Sequence, residues 1–416
     1  MATKKYEWED GAVLAEHSKK KHQILREYFY EYVITRCKLP KMDRFRLSVV
    51  DGFAGGGRYK CGAPGSPIIF IEELNRATRA INIHRAEQNL PLINIECLLI
   101  LNDSEQAVVE LLKQNLTPVL MDSIQSNDHL TIRVEYLNTE FEKAYPEVKM
   151  LLQRYRIANV VFNLDQCGHS HVAKETLVDI MNSYTSAEVF YTFMIDSLLA
   201  FLQRDNPQAL ENTLSYMSLS RFDLDALSEL MHKKRWLGAA EKIVFTNFQR
   251  CAQFVSPFSI NNPGGWRYWL IHLANSYRAR QVYNNVLHDN SKSQAHCGRS
   301  GLNMLAHDPK EEEKLTLYLF DSSAREDAKD QLLEDIPRVI SEFGDALNMG
   351  DFYSRIYNHT PAHSDDIHVA MLENPDIEVV TKAGGTRRRP NQINIYDTIK
   401  LKSQKSFSFP FSIKKQ

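Results

Sequence analysis

A cluster of glycines follows a short, mostly apolar segment near the start of the chain. Residues 47–50 have the composition of a buried parallel strand, and the sequence DGFAGGGRY occupies residues 51–59 directly after them. Glycine has no Cβ, so a glycine-rich backbone can adopt positive φ and can approach a ligand closely. We therefore expect a ligand over this loop, and the alternative is a tight turn that binds nothing.

The spacing of the glycines distinguishes between kinds of ligand. The chain has no phosphate-binding G-x-x-x-x-G-K-[ST] motif, and Lys60 stands where a dinucleotide-binding loop needs its third glycine. The pattern that fits is D-x-F-x-G-x-G, formed by Asp51, Phe53, Gly55 and Gly57, and it resembles motif I of the class I S-adenosylmethionine-dependent methyltransferases. The resemblance implies S-adenosylmethionine as the cofactor, with Asp51 near its amino group and the glycines beside its adenosine.

Polar residues after the next two expected strands extend the candidate site. Asp103 follows the second strand, where Rossmann-like folds bind ribose hydroxyls with a carboxylate, and Glu105 is the second choice. An acid that caps the following helix is the alternative for Asp103. Asn138 and Thr139 follow the third strand, where this superfamily contacts adenine. We therefore predict that Asp103, Asn138 and Thr139 bind the cofactor.

The end of the fourth expected strand is the candidate catalytic edge, because ligands of open parallel sheets bind at the carboxyl ends of the strands. Asp165, Gln166 and His169 follow this strand, and we predict that they carry the catalytic step, with Asp165 as the principal acid. Amino-methyltransferases often have an Asn/Asp-Pro-Pro-aromatic motif here, whereas this chain has Gln166 and Cys167 in place of the prolines. A structural or solvated role is the alternative for His169 and for the nearby His171.

The elements around these loops alternate between strands and helices. Strands are predicted at residues 47–50, 97–101, 132–137, 160–164 and 189–194, and helices at 17–37, 68–88, 104–115, 140–153 and 172–184. This order predicts an α/β fold with a doubly wound, Rossmann-like methyltransferase sheet covered on both faces. Residues 253–259 and 268–274 are expected to add an antiparallel pair of strands, and residues 289–311 are expected to be a linker.

The last quarter of the chain follows a different pattern. Helical segments at 328–343, 351–358 and 364–372 precede a hairpin of residues 376–382 and 391–401, and Thr360-Pro361 is a further candidate helix start. Three helices followed by a hairpin are typical of a winged helix-turn-helix. We therefore divide the chain into a helical extension (1–40), a methyltransferase-like domain (41–310) with a helical insertion at about 206–250, and a winged-helix domain (311–416).

Two groups of residues are candidates for binding the substrate. Arg58 and Tyr59 lie just past the glycines, where they could contact cofactor or substrate or could serve packing alone. Arg387, Arg388 and Arg389 begin a C-terminal segment with eight basic residues and one acid, and arginine side chains fork onto phosphate oxygens. Nucleic-acid binding through this basic wing and docking of a partner protein both remain open, because the helix before it carries several acids.

The chain as a whole resembles the three-Cys-motif partner (TcmP) family. The resemblance rests on Lys21-His22 before the sheet, the loop at 51–59, Gly65-Ser66-Pro67 and the Asp165 motif, and it spans most of the chain. Family members have Asp-Pro-Phe-Gly where residues 165–168 read Asp-Gln-Cys-Gly. The resemblance implies cofactor binding. We predict a methyltransferase that acts on nucleic acid or on a protein-bound substrate, and the alternative is a catalytically silent cofactor-binding or interaction protein that works with a partner.

The composition limits the possible environments and partners. The 416 residues include 50 basic and 52 acidic side chains, and the net charge of −2 gives the whole molecule no general attraction for nucleic acid. The six cysteines stand singly, without a C-x-x-C pair, which fits a reducing compartment and predicts no metal site. We see no signal-peptide pattern and no apolar run of about 18 residues, so we expect a cytoplasmic protein without membrane contact.

Overall fold

The computed structural model describes Trp8 and residues 11–166, 171–194, 236–262, 268–306 and 317–402. The helices of this part of the chain are α1 (Glu16–Arg36), α2 (Ser66–Glu87), α3 (Gln106–Ser126), α4 (Phe141–Arg154), α5 (Lys174–Ser183), α6 (Trp236–Phe248), α7 (Tyr277–Asp289), α8 (Ser322–Glu342), α9 (Met349–Ile356) and α10 (Ser364–Glu373). The strands are β1 (Arg44–Asp51), β2 (Asn94–Asn102), β3 (Leu130–Leu137), β4 (Asn159–Leu164), β5 (Ser186–Met194), β6 (Phe254–Ser256), β7 (Ser259–Ile260), β8 (Tyr268–Ala274), β9 (Gln294–Cys297), β10 (Leu317–Tyr318), β11 (Ala346–Asn348), β12 (Ile377–Val380) and β13 (Thr398–Leu401).

Ten of these strands form one mixed central sheet with five neighbouring parallel strands on one side. Its order is β10-β9-β7-β8-β5-β4-β1-β2-β3, and β6 also pairs with β8. Strands β3, β2, β1, β4 and β5 are parallel to their neighbours, whereas β8 is antiparallel to β5. The five predicted parallel strands are confirmed. Because β1 lies between β2 and β4, the direction of winding reverses at β1, and a crevice is expected there at the carboxyl ends of the strands.

Helices cover the central strands on both faces, which explains the apolar composition of these strands. Every residue of β1 from Leu47 to Asp51 is buried, so neither face of this strand meets water. Helix α1 packs against α2 and α7, and α2 packs against α3. Helices α4 and α5 are joined by Asp179, which accepts 2.7 Å hydrogen bonds from Tyr145 Oη and Lys149 Nζ. The sheet is therefore the middle layer of an α/β fold.

The far edge of the sheet differs in part from expectation. The antiparallel pair is present, but the segment predicted at 253–259 is divided into β6 and β7, both antiparallel to β8. The expected linker at 289–311 contains β9, which pairs with β7, and its His296 is fully buried. The linker prediction was wrong because a short polar strand such as Gln-Ala-His-Cys lacks an apolar pattern. Residues 206–235 of the expected helical insertion lie outside the described residues, and α6 forms its last part.

The C-terminal region has the predicted helices and hairpin together with one strand that the sequence pattern did not reveal. Helices α8, α9 and α10 are accompanied by a three-stranded antiparallel sheet of order β11-β13-β12, and the added strand, β11, lies between α8 and α9 in the chain. Of the two starts considered for the third helix, Ser364 is correct and Thr360-Pro361 is not. His363 is the N-cap of α10, and its Nδ1 accepts a 3.1 Å hydrogen bond from the Asp365 amide.

Candidate functional site

Parallel pairing brings the predicted site residues to one edge of the sheet. Asp51, the last residue of β1, is opposite Leu101 of β2 and Asn163 of β4. Asn102 at the end of β2 is opposite Leu137 at the end of β3. The residues that follow these strands therefore lie in a row. The row contains, in strand order, Asn138 and Thr139 after β3, Asp103 after β2, Asp51 on β1, and Asp165 after β4.

The glycine loop adopts the backbone conformations that its glycines allow. Gly55 has φ +60° and Gly57 has φ +81°, values that residues with a Cβ rarely adopt. Asp103 holds this loop: its Oδ2 accepts a 3.1 Å hydrogen bond from the Gly55 amide, and its Oδ1 accepts a 3.1 Å bond from the Glu105 amide. Asp103 thus holds both the glycine loop and the residue before α3. This role resembles the alternative in which Asp103 caps the following helix. Contact of Asp103 with a ribose stays a prediction.

The indole ring of Trp8 lies on the glycine loop. A Cβ added to Gly55 would overlap this ring, and a Cβ added to Gly56 would lie 2.8 Å from Trp8 Cε3. The N-terminal segment is held beside the loop by a 2.9 Å hydrogen bond from the Lys60 amide to the Ala12 carbonyl. The space in which we expected a ligand is therefore taken by a side chain of the protein itself. The sequence pattern could not reveal this contact, because Trp8 is far from the loop along the chain.

Asp51 is fully buried at the carboxyl end of β1. Its Oδ1 accepts hydrogen bonds from Asn163 Nδ2 at 3.2 Å and from the Phe53 amide at 3.4 Å. Burial raises the pKa of Asp51 to about 7, because removal from water disfavours the charged form more than these hydrogen bonds favour it. The nearby Asp165 carboxylate also raises the pKa of Asp51. Asp51 is therefore a carboxyl group that can hold a proton near neutral pH.

Asparagine side chains tie the loops of this edge together. Asn102 Nδ2 donates 3.0 Å hydrogen bonds to the carbonyl oxygens of Gly52 and Thr139, which lie in the loops after β1 and β3. Asn138 Nδ2 donates a 2.9 Å bond to the Asp103 carbonyl. Sequence reasoning missed Asn102 and Asn163. The available signal was the presence of an asparagine at or next to the last position of two buried, otherwise apolar strands.

Lys21 of α1 reaches Asp165 at the end of β4. Lys21 Nζ lies 2.5 Å from Asp165 Oδ1, and only 7% of Lys21 is exposed. Burial would raise the pKa of Asp165, but the adjacent ammonium group outweighs burial and holds this pKa below its usual range. Burial also lowers the pKa of His22 to about 4. The pair lines a small cleft together with His22 of α1 and with polar residues from three other elements, Ser66 of α2, Asn163 of β4 and Thr192 of β5.

Gln166 holds the loop that follows β4. Its Nε2 donates to Tyr191 Oη at 2.6 Å and to the Thr192 carbonyl at 3.2 Å. Its Oε1 accepts hydrogen bonds from the amides of His171 at 2.9 Å and Val172 at 3.1 Å. Both ends of this buried amide are therefore used within the protein, and the predicted catalytic role of Gln166 stays a prediction. His169 lies outside the described residues.

The remaining residues predicted near the cofactor loop pack against the protein. The Phe53 ring lies 5.9 Å from the Phe141 ring and 6.4 Å from the His171 ring. Arg58 Nη1 donates a 3.1 Å hydrogen bond to the Gly62 carbonyl in the same loop. The Tyr59 ring lies 5.4 Å from the Trp8 ring and 5.6 Å from the His22 ring. These contacts place the residues beside the glycine loop, as predicted, and leave their binding roles as predictions.

The C-terminal region can be compared with known domains. Residues 306–384 match the family model of the GMT-like wHTH domain. This region is a winged helix-turn-helix domain. The comparison of the chain with curated proteins finds no match. Across the described ranges, we find no helix with both the length and the apolar composition that a bilayer-spanning helix needs.

The three arginines of the winged-helix domain have different environments. Arg387 is partly buried, and its guanidinium donates two hydrogen bonds to Asp397, at 2.8 Å and 3.0 Å. Arg388 and Arg389 are exposed on the wing between β12 and β13. The sequence pattern treated these arginines as equivalent. Only Arg388 and Arg389 present a guanidinium to solvent without this carboxylate partner.

The raised pKa of Asp51 predicts a specific dependence of stability on pH. The unfolded carboxyl group has a pKa of about 3.9, so between about pH 4 and pH 7 the folded chain binds more protons than the unfolded chain. The free energy of unfolding that Asp51 contributes therefore falls as pH rises through this window. Asp51→Asn keeps a neutral side chain, and we expect its stability relative to the wild type to increase by about 3 kcal/mol between about pH 5 and pH 8.

Urea unfolding followed by circular dichroism at several pH values measures this difference. Asp122→Asn, on the exposed side of α3, is the matched control and should show a difference that does not vary with pH. The same flat profile for Asp51→Asn would contradict a raised pKa at Asp51.

Proposed function

We propose that the chain binds S-adenosylmethionine at the carboxyl edge of its sheet and transfers the methyl group to an acceptor. The observation that carries this proposal is the glycine loop between β1 and α2, which lies where the winding reverses between β1 and β4. Ligands of doubly wound sheets bind at this position. The order β3-β2-β1-β4-β5, followed by the antiparallel β8, supports a Rossmann-like methyltransferase sheet. The TcmP resemblance of the sequence agrees with this proposal.

The contact with Trp8 bears on the proposal in two ways. The glycines accept a flat aromatic ring at van der Waals distance, which is what an adenosine group would require of them. The same ring occupies the space that the adenosine would need. The loop and its carboxylates therefore suit the cofactor only when the indole moves off Gly55 and Gly56.

Methyl transfer makes modest demands on the protein. S-adenosylmethionine would supply an electrophilic methyl group on a sulfonium. The acceptor would be held in line with the carbon–sulfur bond, which breaks to leave a neutral thioether, and a proton on the acceptor would pass to solvent. Asp165 can accept a hydrogen bond from the acceptor, since its lowered pKa keeps it ionised at neutral pH. The same low pKa makes Asp165 a weak base. We therefore assign Asp165 to orientation of the acceptor, with Lys21 as the residue that keeps it charged.

Binding of S-adenosylmethionine should depend on the surface of Gly55. Gly55→Ala and Gly62→Ala each introduce a Cβ at positive φ, so their backbone strain is similar. A Cβ at Gly55 faces the proposed adenosine space, whereas a Cβ at Gly62 would meet no atom within 4 Å. In isothermal titration calorimetry we expect Gly55→Ala to weaken binding by at least about tenfold and Gly62→Ala to change it by less than about twofold. Equal affinities for both variants, or no heat from the wild type at about 1 mM ligand, would reject the site.

Removal of the Trp8 indole should strengthen binding of the cofactor. In the wild type the ligand must displace this ring from Gly55 and Gly56, so Trp8→Ala should lower the dissociation constant by about five- to tenfold. Trp8→Phe keeps an aromatic ring and should remain close to the wild type. Both are measured by the same calorimetric titration. Weaker binding by Trp8→Ala would show instead that the indole forms part of the ligand site.

A second candidate function is a catalytically silent cofactor-binding protein. Gln166 is hydrogen-bonded at both ends, to β5 and to the loop after β4, and Asp165 is already paired with Lys21, so both predicted catalytic side chains have partners in the protein. Such a protein would bind S-adenosylmethionine and transfer no methyl group.

Transfer of a radiolabelled methyl group into cell extract separates the two candidates. For an enzyme we expect incorporation that Asp165→Asn lowers by at least about tenfold while the affinity for S-adenosylmethionine changes by less than about threefold. Asp122→Asn is the control and should retain full transfer. Cofactor binding without any incorporation by the wild type would favour the silent protein.

A further inference from the structure

The third helix of the winged-helix domain, α10, begins against α7 of the sheet domain. Asn284 Nδ2 donates hydrogen bonds to the carbonyl oxygens of Thr360 at 3.0 Å and Ala362 at 3.1 Å. Asn285 exchanges two bonds with Ser364: its Nδ2 donates to Oγ at 2.9 Å, and its Oδ1 accepts from the amide at 3.1 Å. The segment that leads into α10 and its first residue are therefore bound within the protein.

Buried charges strengthen this attachment. The fully buried Arg280 of α7 donates to the carbonyl oxygens of Tyr357 at 3.0 Å and Thr360 at 3.2 Å. Asp366, on the first turn of α10, accepts two hydrogen bonds from Arg325 of α8, at 2.8 Å and 2.7 Å. In helix-turn-helix proteins the first residues of this helix reach the edges of bases in the major groove. Here Ser364 is bound to α7 and Asp366 to α8, which leaves only Asp365 of the first three residues exposed.

The part of α10 that remains exposed is unsuited to a phosphate backbone. Asp365 and Glu373 are exposed, with the half-buried Val369 between them, and this spacing of four residues places all three on one side of the helix. His368 is hydrogen-bonded to Tyr353 Oη at 2.7 Å, and burial lowers its pKa to about 4, so it adds no positive charge at neutral pH. The free side of α10 is therefore acidic.

The wing has the opposite character. The double hydrogen bond between Arg387 and Asp397 joins the two sides of the wing. Arg388 follows one member of this pair and Tyr396 precedes the other, so the two residues lie near each other on the wing. Arg388 and Arg389 are exposed, and 68% of Tyr396 is exposed, so two guanidinium groups and an aromatic ring are available on the wing.

We infer that the wing binds single-stranded nucleic acid through Arg388, Arg389 and Tyr396. Helix α10 only attaches the winged-helix domain to α7 and does not contact the nucleic acid. The guanidinium groups suit phosphate oxygens, and an exposed tyrosine ring suits stacking on an unpaired base, which a duplex does not offer. This inference concerns a different part of the chain from the glycine loop, and it holds whether or not the chain transfers methyl groups.

Fluorescence anisotropy tests the inference with the full-length chain, without S-adenosylmethionine, and a fluorescein-labelled single strand of about 20 uridines. The Arg388→Ala/Arg389→Ala double variant should bind at least about tenfold more weakly, and the slope of log affinity against log salt should fall by about 1.4. Tyr396→Ala should weaken binding by at least about fivefold with little change in the salt slope. A duplex of the same length should bind more weakly than the single strand.

Two control variants distinguish the wing from the rest of the charged surface. Lys38→Ala/Lys41→Ala removes two exposed positive charges between α1 and β1, and it should change affinity by less than about twofold. Asp365→Ala/Glu373→Ala should also leave affinity unchanged, whereas a phosphate backbone lying along α10 would be bound more tightly after this change. Tighter binding of the duplex, equal losses in the lysine control, a gain in the α10 variant, or no binding of the single strand would each overturn the inference. Because the cofactor is absent, these results do not depend on the calorimetric test of the glycine loop.

Discussion

Hydrogen bonds from asparagine side chains hold the carboxyl edge of the central sheet in one arrangement. Asn102 joins the loops after β1 and β3 through the Gly52 and Thr139 carbonyls, and Asn163 joins β4 to Asp51. A buried carbonyl without a partner costs about 1–3 kcal/mol, so these bonds strongly favour a single set of loop positions. These hydrogen bonds therefore help to position the glycine loop, Asp51, Asp165 and the cleft beside Lys21.

The pKa values of Asp51 and Asp165, two of the three carboxyl groups at this edge, are shifted in opposite directions. Asp51 is fully buried and has only neutral hydrogen-bond partners, the Ser66 and Asn163 side chains and the Phe53 amide, so burial dominates and its pKa rises to about 7. Asp165 is only partly buried, with 29% of its side chain exposed, and the ammonium group of Lys21 stabilises its charged form and lowers its pKa. Opposite environments for two neighbouring acids are a common property of functional sites, because each group then has a different protonation state near neutral pH.

Two surfaces that the sequence pattern predicts to bind ligands are covered by other segments of the same chain. Trp8 covers the glycines of the β1 loop, and α7 covers the start of α10. In both cases the local pattern was interpreted correctly as structure: the loop has positive φ and the third helix is present. A glycine surface or a helix N-terminus can be contacted by any group of suitable shape and polarity. A side chain of the same chain can occupy such a surface without a second molecule having to bind.

The sequence alone determined the parallel strands, the loop at Asp51 and the order of the winged helix, because these follow from local periodicity and from the conformational freedom of glycine. It also placed Asp51, Asp103 and Asp165 at one edge, since the ends of parallel strands must meet there. Only the tertiary structure decided that Asp165 has Lys21 as its partner, that Trp8 lies on Gly55, and that β9 joins the sheet. These contacts join segments that are far apart in the chain, and a local sequence pattern does not predict which distant residue will make them.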